Sequence, residues 1–439
     1  MIPEALAGKR IAITGATGFL GTALVERLLR TVPDCELVLL VRPGRRAGAP
    51  ERVRREILRN DCFDRLRTAW GERWDDEITR RLRAVAGDVA TDGLGLDDEG
   101  RATLSACDIV IHSAAAVAFD SPLDLAVEVN LMGPTRVAQT LLQLSSRAHL
   151  IAVSTAYVAG SRRGAAPEAL LPDTPYATEV DWRAEVAAAR RARSDVDAES
   201  RHPKQLARFH KRARSELGAA GSPVLADKTE KLREEWVKER LVHSGVARAQ
   251  SLGWPDAYAY TKALGERALL QNHGDIPLTI VRPSIIESAL SEPRPGWIRG
   301  FRMAEPVIIS YARGVLKEFP GLPEGVVDVI PVDLVVAAIV AVAATGPDPS
   351  GPSVYQVASG SRNPLRYRRL VDLVRSYFLE HPLYDSAGQP IVVPEWSFPG
   401  RGRVQRQLVQ ATRVLSAGER AIAALPIRGR QAEFGARLE

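Results

Sequence analysis

The chain has 439 residues, 45% hydrophobic, 26% charged and 6% aromatic, an ordinary globular composition that excludes a disordered, collagen-like or fibrous protein. Its 59 Lys and Arg against 53 Asp and Glu leave a net charge of +6, and that excess lies wholly between Arg183 and Gln250, where 16 basic residues stand against 10 acidic ones. Cys35, Cys62 and Cys107 are odd in number and lack a CxxC pair; this excludes a disulfide framework, indicates no zinc or other metal site and points to a reducing cytoplasm.

A strand-like run, Arg10 to Thr14 (RIAIT), begins almost at once, so no secretory leader is expected. It runs into TGATGFLG, whose Gly15, Gly18 and Gly21 open a predicted helix from Phe19 to Arg30. Glycine lets the backbone turn tightly and approach a pyrophosphate, whose charge then sits at the positive end of the helix. Thr14, Gly15, Thr17, Gly18, Phe19, Leu20 and Gly21 are therefore candidate cofactor contacts. The second strand, Glu36 to Val41, ends at Arg42, with Arg45 and Arg46 behind it. An NAD-binding chain usually places an acidic residue there, whereas a guanidinium fork matches a phosphate. The expected cofactor is NADPH, the alternative being that these arginines are solvated loop charges.

Further short apolar runs follow: Leu82 to Val89, Asp108 to Ser113, His149 to Thr155 and, after a long polar helical insertion of roughly 173–252, Leu278 to Ile286. Continuous apolar strands between helices predict a parallel sheet covered on both faces. The expected fold is α/β, a Rossmann-type doubly wound parallel sheet with a helical insertion and a smaller C-terminal α/β substrate domain. The boundary is drawn where proline and glycine punctuation thickens, giving an NADPH-binding domain over 1–290 and a substrate domain over 291–439. The longest apolar run, Leu334 to Ala344, is too short to cross a bilayer.

Tyr258 and Lys262 form YxxxK within YAYTKALGE, and the i, i+4 spacing puts both on one helix face. A neighbouring ammonium is expected to stabilise the phenolate and lower the Tyr258 pKa. Tyr260 lies off that face and is left out. The strand ending in VSTAYVAG would project a hydroxyl from the carboxyl edge of the sheet, where ligands bind.

The G-x-x-G-x-x-G spacing resembles that of the extended short-chain dehydrogenases/reductases. That resemblance implies Thr155 at the substrate carbonyl, with Ser154 the adjacent alternative. It implies Asn130, in NLMGPT, as a catalytic-set residue supporting the active-site helix, although Pro134 loosens the match. It also implies Asp88, Val89, Ala114, Ala115, Pro283 and Ser284, with Tyr258 and Lys262, along the cofactor groove. His112 reads as a buried or cofactor-lining side chain.

TGATGFLG, FDRLR (Phe63 to Arg67), VSTAYV, WPDAYAYTKALGE, IVRPSIIESALSEPRPGWI, FPG (Phe319 to Gly321) and DVIPVDLV together resemble the fatty acyl-CoA reductases, in particular the bacterial alcohol-forming branch. This implies NADPH-dependent reduction of a long-chain acyl thioester, on CoA or acyl-carrier protein, to the aldehyde and on to the primary alcohol. Thr155 and Tyr258 can donate to the developing oxyanion without a cysteine nucleophile. The basic insertion, densest from Arg201 to Arg214, suits an acidic substrate; the alternative is an amphipathic helix over Lys228 to Val242 with Leu232, Trp236 and Leu241 inward. Sparse aromatics among these charges argue against nucleic acid.

Relatives commonly continue into a further helical region, whereas this chain stops after a basic segment, Val404 to Arg437, that suits core packing or peripheral membrane contact. The competing functions are an aldehyde-releasing thioester reductase module acting on a carrier protein, a sugar-nucleotide epimerase or dehydratase, and a non-catalytic dinucleotide sensor.

Overall fold

The computed structural model describes residues 2–399 apart from 119, 163, 175–178, 218–221, 301–303 and 319–320. Six strands follow the apolar runs: β1 (Arg10–Thr14), β2 (Glu36–Val41), β3 (Leu82–Ala86), β4 (Ile109–His112), β5 (His149–Val153) and β6 (Leu278–Pro283). Four short ones come next in the chain, β7 (Ile285–Glu287), β8 (Val326–Val327), β9 (Val329–Pro331) and β10 (Ser353–Val357), and then β11 (Leu365–Arg366). The main sheet has the order β10-β6-β5-β4-β1-β2-β3 and every pairing in it is parallel. Strands β4, β5 and β6 are buried along their whole length, as a sheet covered on both faces requires.

One face packs on helices Phe19–Thr31 and Val332–Thr345, through Leu24, Leu28, Val335 and Ile339 against Ile11, Ile13 and Ile111. The other packs on helix Met132–Gln143 and the end of helix Ala257–Asn272, through Val137, Leu141 and Leu269 against Val110, Leu150 and Ile280. The run Leu334 to Ala344 is thus part of a core-packing helix, which buries Val335, Val336, Ile339, Val340 and Ala343 and leaves Leu334 exposed.

Four of the expected strands differ in their bounds, two of them, at β4 and β5, only by one or two residues at an end. The strand expected over Leu82 to Val89 stops at Ala86, because Asp88 turns the chain: its amide donates to the Leu94 carbonyl (2.8 Å) and its carboxylate accepts from the Ala90 amide (2.9 Å). The run Leu278 to Ile286 divides at Ser284, whose amide still donates to Val357 (3.0 Å) before β7 leaves the sheet to pair with β9.

The division at residue 290 is likewise corrected. The described residues form two compact units: those within 1–207, 230–300 and 329–359 make the first, and those within 208–229, 301–328 and 360–399 the second. Residues 329–359 return to the first unit because β10 completes its sheet beside β6 and helix Val332–Thr345 fills its core. In the second unit, β8 and β11 pair antiparallel, and Tyr311, Ala312, Phe378 and Val393 form a small core.

The insertion is helical as expected, over Trp182–Ser200, Pro203–Leu217 and Ser222–Ser251. Leu232 and Leu241 are buried and Trp236 half-buried, as the amphipathic reading had them. Part of the basic stretch is neutralised locally, Arg201 by Asp197 (3.3 Å) and Arg212 by Glu216 (2.8 Å). Among the described residues no helix is long and apolar enough to cross a membrane. The segment Val404 to Arg437, and Phe319 with its following proline in FPG, lie outside the described residues.

Candidate active site

The glycine turn joins β1 to helix Phe19–Thr31. Gly15 has φ +73°, and a Cβ there would lie 2.6 Å from the Ala114 backbone nitrogen. A Cβ on Gly21 would lie 2.3 Å from the Gly15 carbonyl oxygen, so both positions demand glycine. The Gly18 amide closes the turn on the Gly15 carbonyl (2.9 Å), and Gly18 starts the helix with no side-chain cap. The first-turn amides of Phe19, Leu20 and Gly21 therefore have no capping side chain, as a phosphate site needs. Thr17 and Gly18 form the open tip of the turn. Thr14 is buried; its hydroxyl accepts from the Ala114 amide (3.2 Å) and meets His112 Nδ1 (2.9 Å).

Thr155 and Tyr258 are brought together at the carboxyl end of β5. Thr155 ends the extended segment and starts the short 3-10 turn Ala156–Ala159, accepting from the Tyr157 amide (3.2 Å). Its hydroxyl donates to the Pro283 carbonyl at 3.4 Å and stands near enough to the Tyr258 phenol to oppose the rise in that group's pKa. Ser154, the adjacent alternative, carries a buried hydroxyl with no protein partner, in a small cavity with His112, Asn130 and Lys262. Helix Ala257–Asn272 begins at Asp256, whose carboxylate caps the Ala259 amide (2.8 Å) and so fixes Tyr258 in the first turn.

The expected phenol–ammonium contact is corrected. The Lys262 ammonium donates to the Val153 carbonyl (2.9 Å), on the β5 side. Burial pushes the Tyr258 pKa up to about 12, with the Thr155 hydroxyl opposing and Asp256 adding to the rise. Burial brings Lys262 down to about 8, with Glu266 opposing. Spacing gave the shared face, and desolvation outweighs the pairing read from it. Tyr258 is therefore protonated throughout the neutral range, the state a proton donor needs. His112 is held down to about 3 by burial and then by the Lys262 charge, so it is neutral and no general base.

Asn130 is positioned in a π-helical turn, Val127–Leu131, and is fully buried. Its carboxamide accepts from the Ala116 amide (2.8 Å) and donates to the Ala116 carbonyl (3.0 Å) and the Thr261 hydroxyl (3.2 Å). It touches neither Tyr258 nor Lys262 through these bonds; it ties the loop after β4 to the active-site helix and is a positioning residue.

The outer cofactor candidates line the carboxyl ends of the strands. Arg42 is largely exposed, 3.8 Å from the Asp88 carboxylate, and Arg45 and Arg46 are exposed beyond it. Val89 is buried, and Ala114 and Ala115 are half-buried on the loop after β4. Pro283 meets Thr155 as described, and Ser284 carries a buried hydroxyl with no protein partner. A glycine cradle, an uncapped helix start and orphaned hydroxyls at the same sheet edge fit a dinucleotide.

All three cysteines are buried free thiols. Burial raises each pKa, that of Cys107 to about 12, Cys62 further still, and Cys35 against opposition from Arg81. Thiolate chemistry at neutral pH is thereby suppressed. Iodoacetamide treatment of the folded protein should leave turnover within about twofold of the untreated rate; inactivation that tracks alkylation of one cysteine would contradict this.

Sequence reading missed three features around this site. Tyr260 donates to Glu185 (2.5 Å), which also pairs with Arg248, so the insertion grips the active-site helix. Trp297 of the EPRPGW stretch packs on Phe19 (5.2 Å between rings) and donates to Asp61 (3.0 Å). Its neighbour Glu292 gathers Arg27, Arg30 and Arg65. Glu266 pairs with Arg282 in the interior; an arginine inside the apolar run LTIVRP was the available signal, since a buried guanidinium must be paired.

Residues 13–339 match an NAD-binding family model described as male sterility protein. The chain is 34% identical over 396 residues to the chloroplastic fatty acyl-CoA reductase 2 of Arabidopsis thaliana, covering 88% of this chain and 60% of that protein. It is 35% identical to fatty acyl-CoA reductase 8 of the same plant (88% and 74% covered) and 33% identical to the alcohol-forming fatty acyl-CoA reductase of Simmondsia chinensis (89% and 75%). These plant relatives speak for the family as a whole, and the narrower bacterial branch does not follow from them. In fold the chain resembles the terminal R domain of the myxalamid PKS-NRPS pathway, with TM-score 0.53 at 20% identity over 84% of this chain and 70% of that one. It also resembles the reductase domain of a nonribosomal peptide synthetase from Mycobacterium tuberculosis, with TM-score 0.51 at 20% identity over 98% and 81%.

Proposed function

The chain belongs to the male sterility protein family and, within it, to the fatty acyl-CoA reductases, and from this premise we propose that it reduces long-chain acyl thioesters with NADPH, through the aldehyde, to primary fatty alcohols. The observation that carries the reading is the gathering of Thr155, Tyr258 and Lys262 at the sheet edge that also holds the glycine turn.

The glycine turn and the first-turn amides would hold the pyrophosphate, Arg42 and Arg45 the ribose phosphate, and Lys262 the nicotinamide ribose. Bound NADPH supplies the hydride. Thr155 and Tyr258 orient the acyl oxygen and stabilise the negative charge that develops on it. Tyr258 gives up its phenol proton to that oxygen, and the resulting hemithioacetal collapses to aldehyde and free thiol. A second round through the same two hydroxyls takes the aldehyde to the alcohol. The buried thiols leave the acyl group without a cysteine nucleophile, in keeping with direct reduction.

Acyl-CoA is the substrate class that the family relation supports, and acyl-carrier protein the alternative; either would be drawn by the basic insertion. Cytoplasmic placement rests on the free thiols, and peripheral membrane contact on the composition of Val404 to Arg437. Gas-chromatographic product analysis after incubation with NADPH and a series of acyl-CoAs, with acyl-carrier protein in parallel, tests the reading: chain-length-dependent alcohol is expected, and NADPH binding without any reduced acyl product would refute it.

Arg42 carries the cofactor preference. Changing Arg42→Asp should shift the NADPH to NADH ratio of kcat/KM toward NADH by roughly tenfold or more, the value of one lost charge-assisted contact. An unchanged ratio would remove Arg42 from the phosphate site.

A further inference from the structure

Arg282 interrupts the apolar strand β6 and is 1% exposed. Its guanidinium grips both oxygens of Glu266, 4% exposed, at 2.6, 3.0 and 3.2 Å, and its remaining arm donates to the Ala169 carbonyl (2.9 Å). Glu266 lies one helical turn beyond Lys262, and Arg282 directly precedes Pro283, whose carbonyl accepts from Thr155. One buried pair therefore fastens the helix of Tyr258 and Lys262 to the strand that orients Thr155. A buried ion pair of this kind adds little net stability over an apolar pair of the same shape, so stability alone does not account for it here.

Building on the reductase reading, we infer that Glu266 and Arg282 are positioning residues for the reaction: together they seat Lys262 on the Val153 carbonyl and balance the charge beneath its ammonium. The charged and titratable groups around Lys262 are Tyr258 and Glu266 on its own helix, His112 on β4 and, through Glu266, Arg282 on β6; β5 offers the Val153 carbonyl, and the Ser154 hydroxyl lies just past its end. His112 is neutral, so Glu266 is the group that opposes the desolvation of the ammonium, and Arg282 holds that carboxylate in place.

The pair makes a signed prediction. Glu266→Gln keeps the shape, removes the negative charge and leaves a guanidinium, so the basic limb of the kcat profile should move to lower pH by about one unit. Arg282→Gln leaves an unbalanced carboxylate, and the limb should move to higher pH. The double Gln variant should return it to near the wild-type position. Arg282→Lys, which keeps the charge and loses the fork, should lower kcat and leave the limb in place. A merely structural pair would reduce folded protein in each case and move no limb. Single variants that shift the limb in the same direction or not at all, or an Arg282→Lys limb displaced as far as that of Arg282→Gln, would overturn the inference. Titration of the Lys262 resonance in lysine-13C-labelled full-length protein gives the same opposite shifts without turnover. Inactive wild-type enzyme would thus sink the reductase reading, while an unmoved Lys262 titration in the variants would sink this one.

Discussion

Tyr258→Phe is expected to cut NADPH-dependent acyl reduction by roughly 10²–10⁴-fold, the usual contribution of a positioned proton donor, while cofactor affinity stays within about twofold. The substitution removes one oxygen from a residue that the Asp256 cap and the helix hold in place, and it leaves the glycine turn and the Lys262–Val153 contact untouched. Burial keeps this phenol protonated, up to about pH 12, so its proton is available wherever the fold survives. The fall in rate at high pH is assigned instead to Lys262, whose ammonium is lost as pH rises through about 8. Steady-state kinetics beside a fluorescence titration of NADPH separate the two quantities. Retention of most activity would take Tyr258 out of the mechanism.

Gly21→Ala is expected to abolish useful NADPH binding in a protein that still folds. The new methyl would stand 2.3 Å from the Gly15 carbonyl oxygen, a backbone atom that cannot swing aside. Overpacking of this kind costs about 1–3 kcal/mol, and relief comes from displacing the turn whose amides would bind the pyrophosphate. A displacement of about 1 Å at such a site is worth about 100-fold in function. The check is the NADPH Kd set against the thermal midpoint of the unliganded protein. Wild-type affinity in the variant would mean that the cofactor does not use this turn.

The central strands were legible because enclosed parallel strands are written as uninterrupted Val, Ile and Leu runs, and RIAIT, ELVLLV and HLIAVST became β1, β2 and β5 with those bounds or within two residues of them. The seventh strand, SVYQV, escaped notice: it is brief, flanked by glycine and proline, and half-buried at the sheet edge. Its return explains why the chain does not divide at 290. In the site, spacing singled out Tyr258 and Lys262 and set aside Tyr260, whose phenol is given to Glu185, but periodicity reports a shared face and not where a flexible lysine ends. Lys262 reaches the Val153 carbonyl because a buried ammonium needs an acceptor and β5 presents one. Asn130 was grouped with the catalytic residues by its motif; its carboxamide is committed to Ala116 and Thr261. Pairings between distant segments, such as Glu266 with Arg282 or Trp297 with Asp61, depend on tertiary neighbours that periodicity along one segment does not encode.

The most direct test of the central claim follows the hydride. The protein is incubated with hexadecanoyl-CoA and NADPH carrying deuterium at nicotinamide C4, each face labelled in turn, and the products are read by mass spectrometry. With one face labelled, deuterium should appear at C1 of the product, once in released aldehyde and twice in alcohol, and the label should vanish from product in Tyr258→Phe as turnover stops. Reduced product without deuterium at C1 from either face, or label consumed with the thioester intact, would contradict the account.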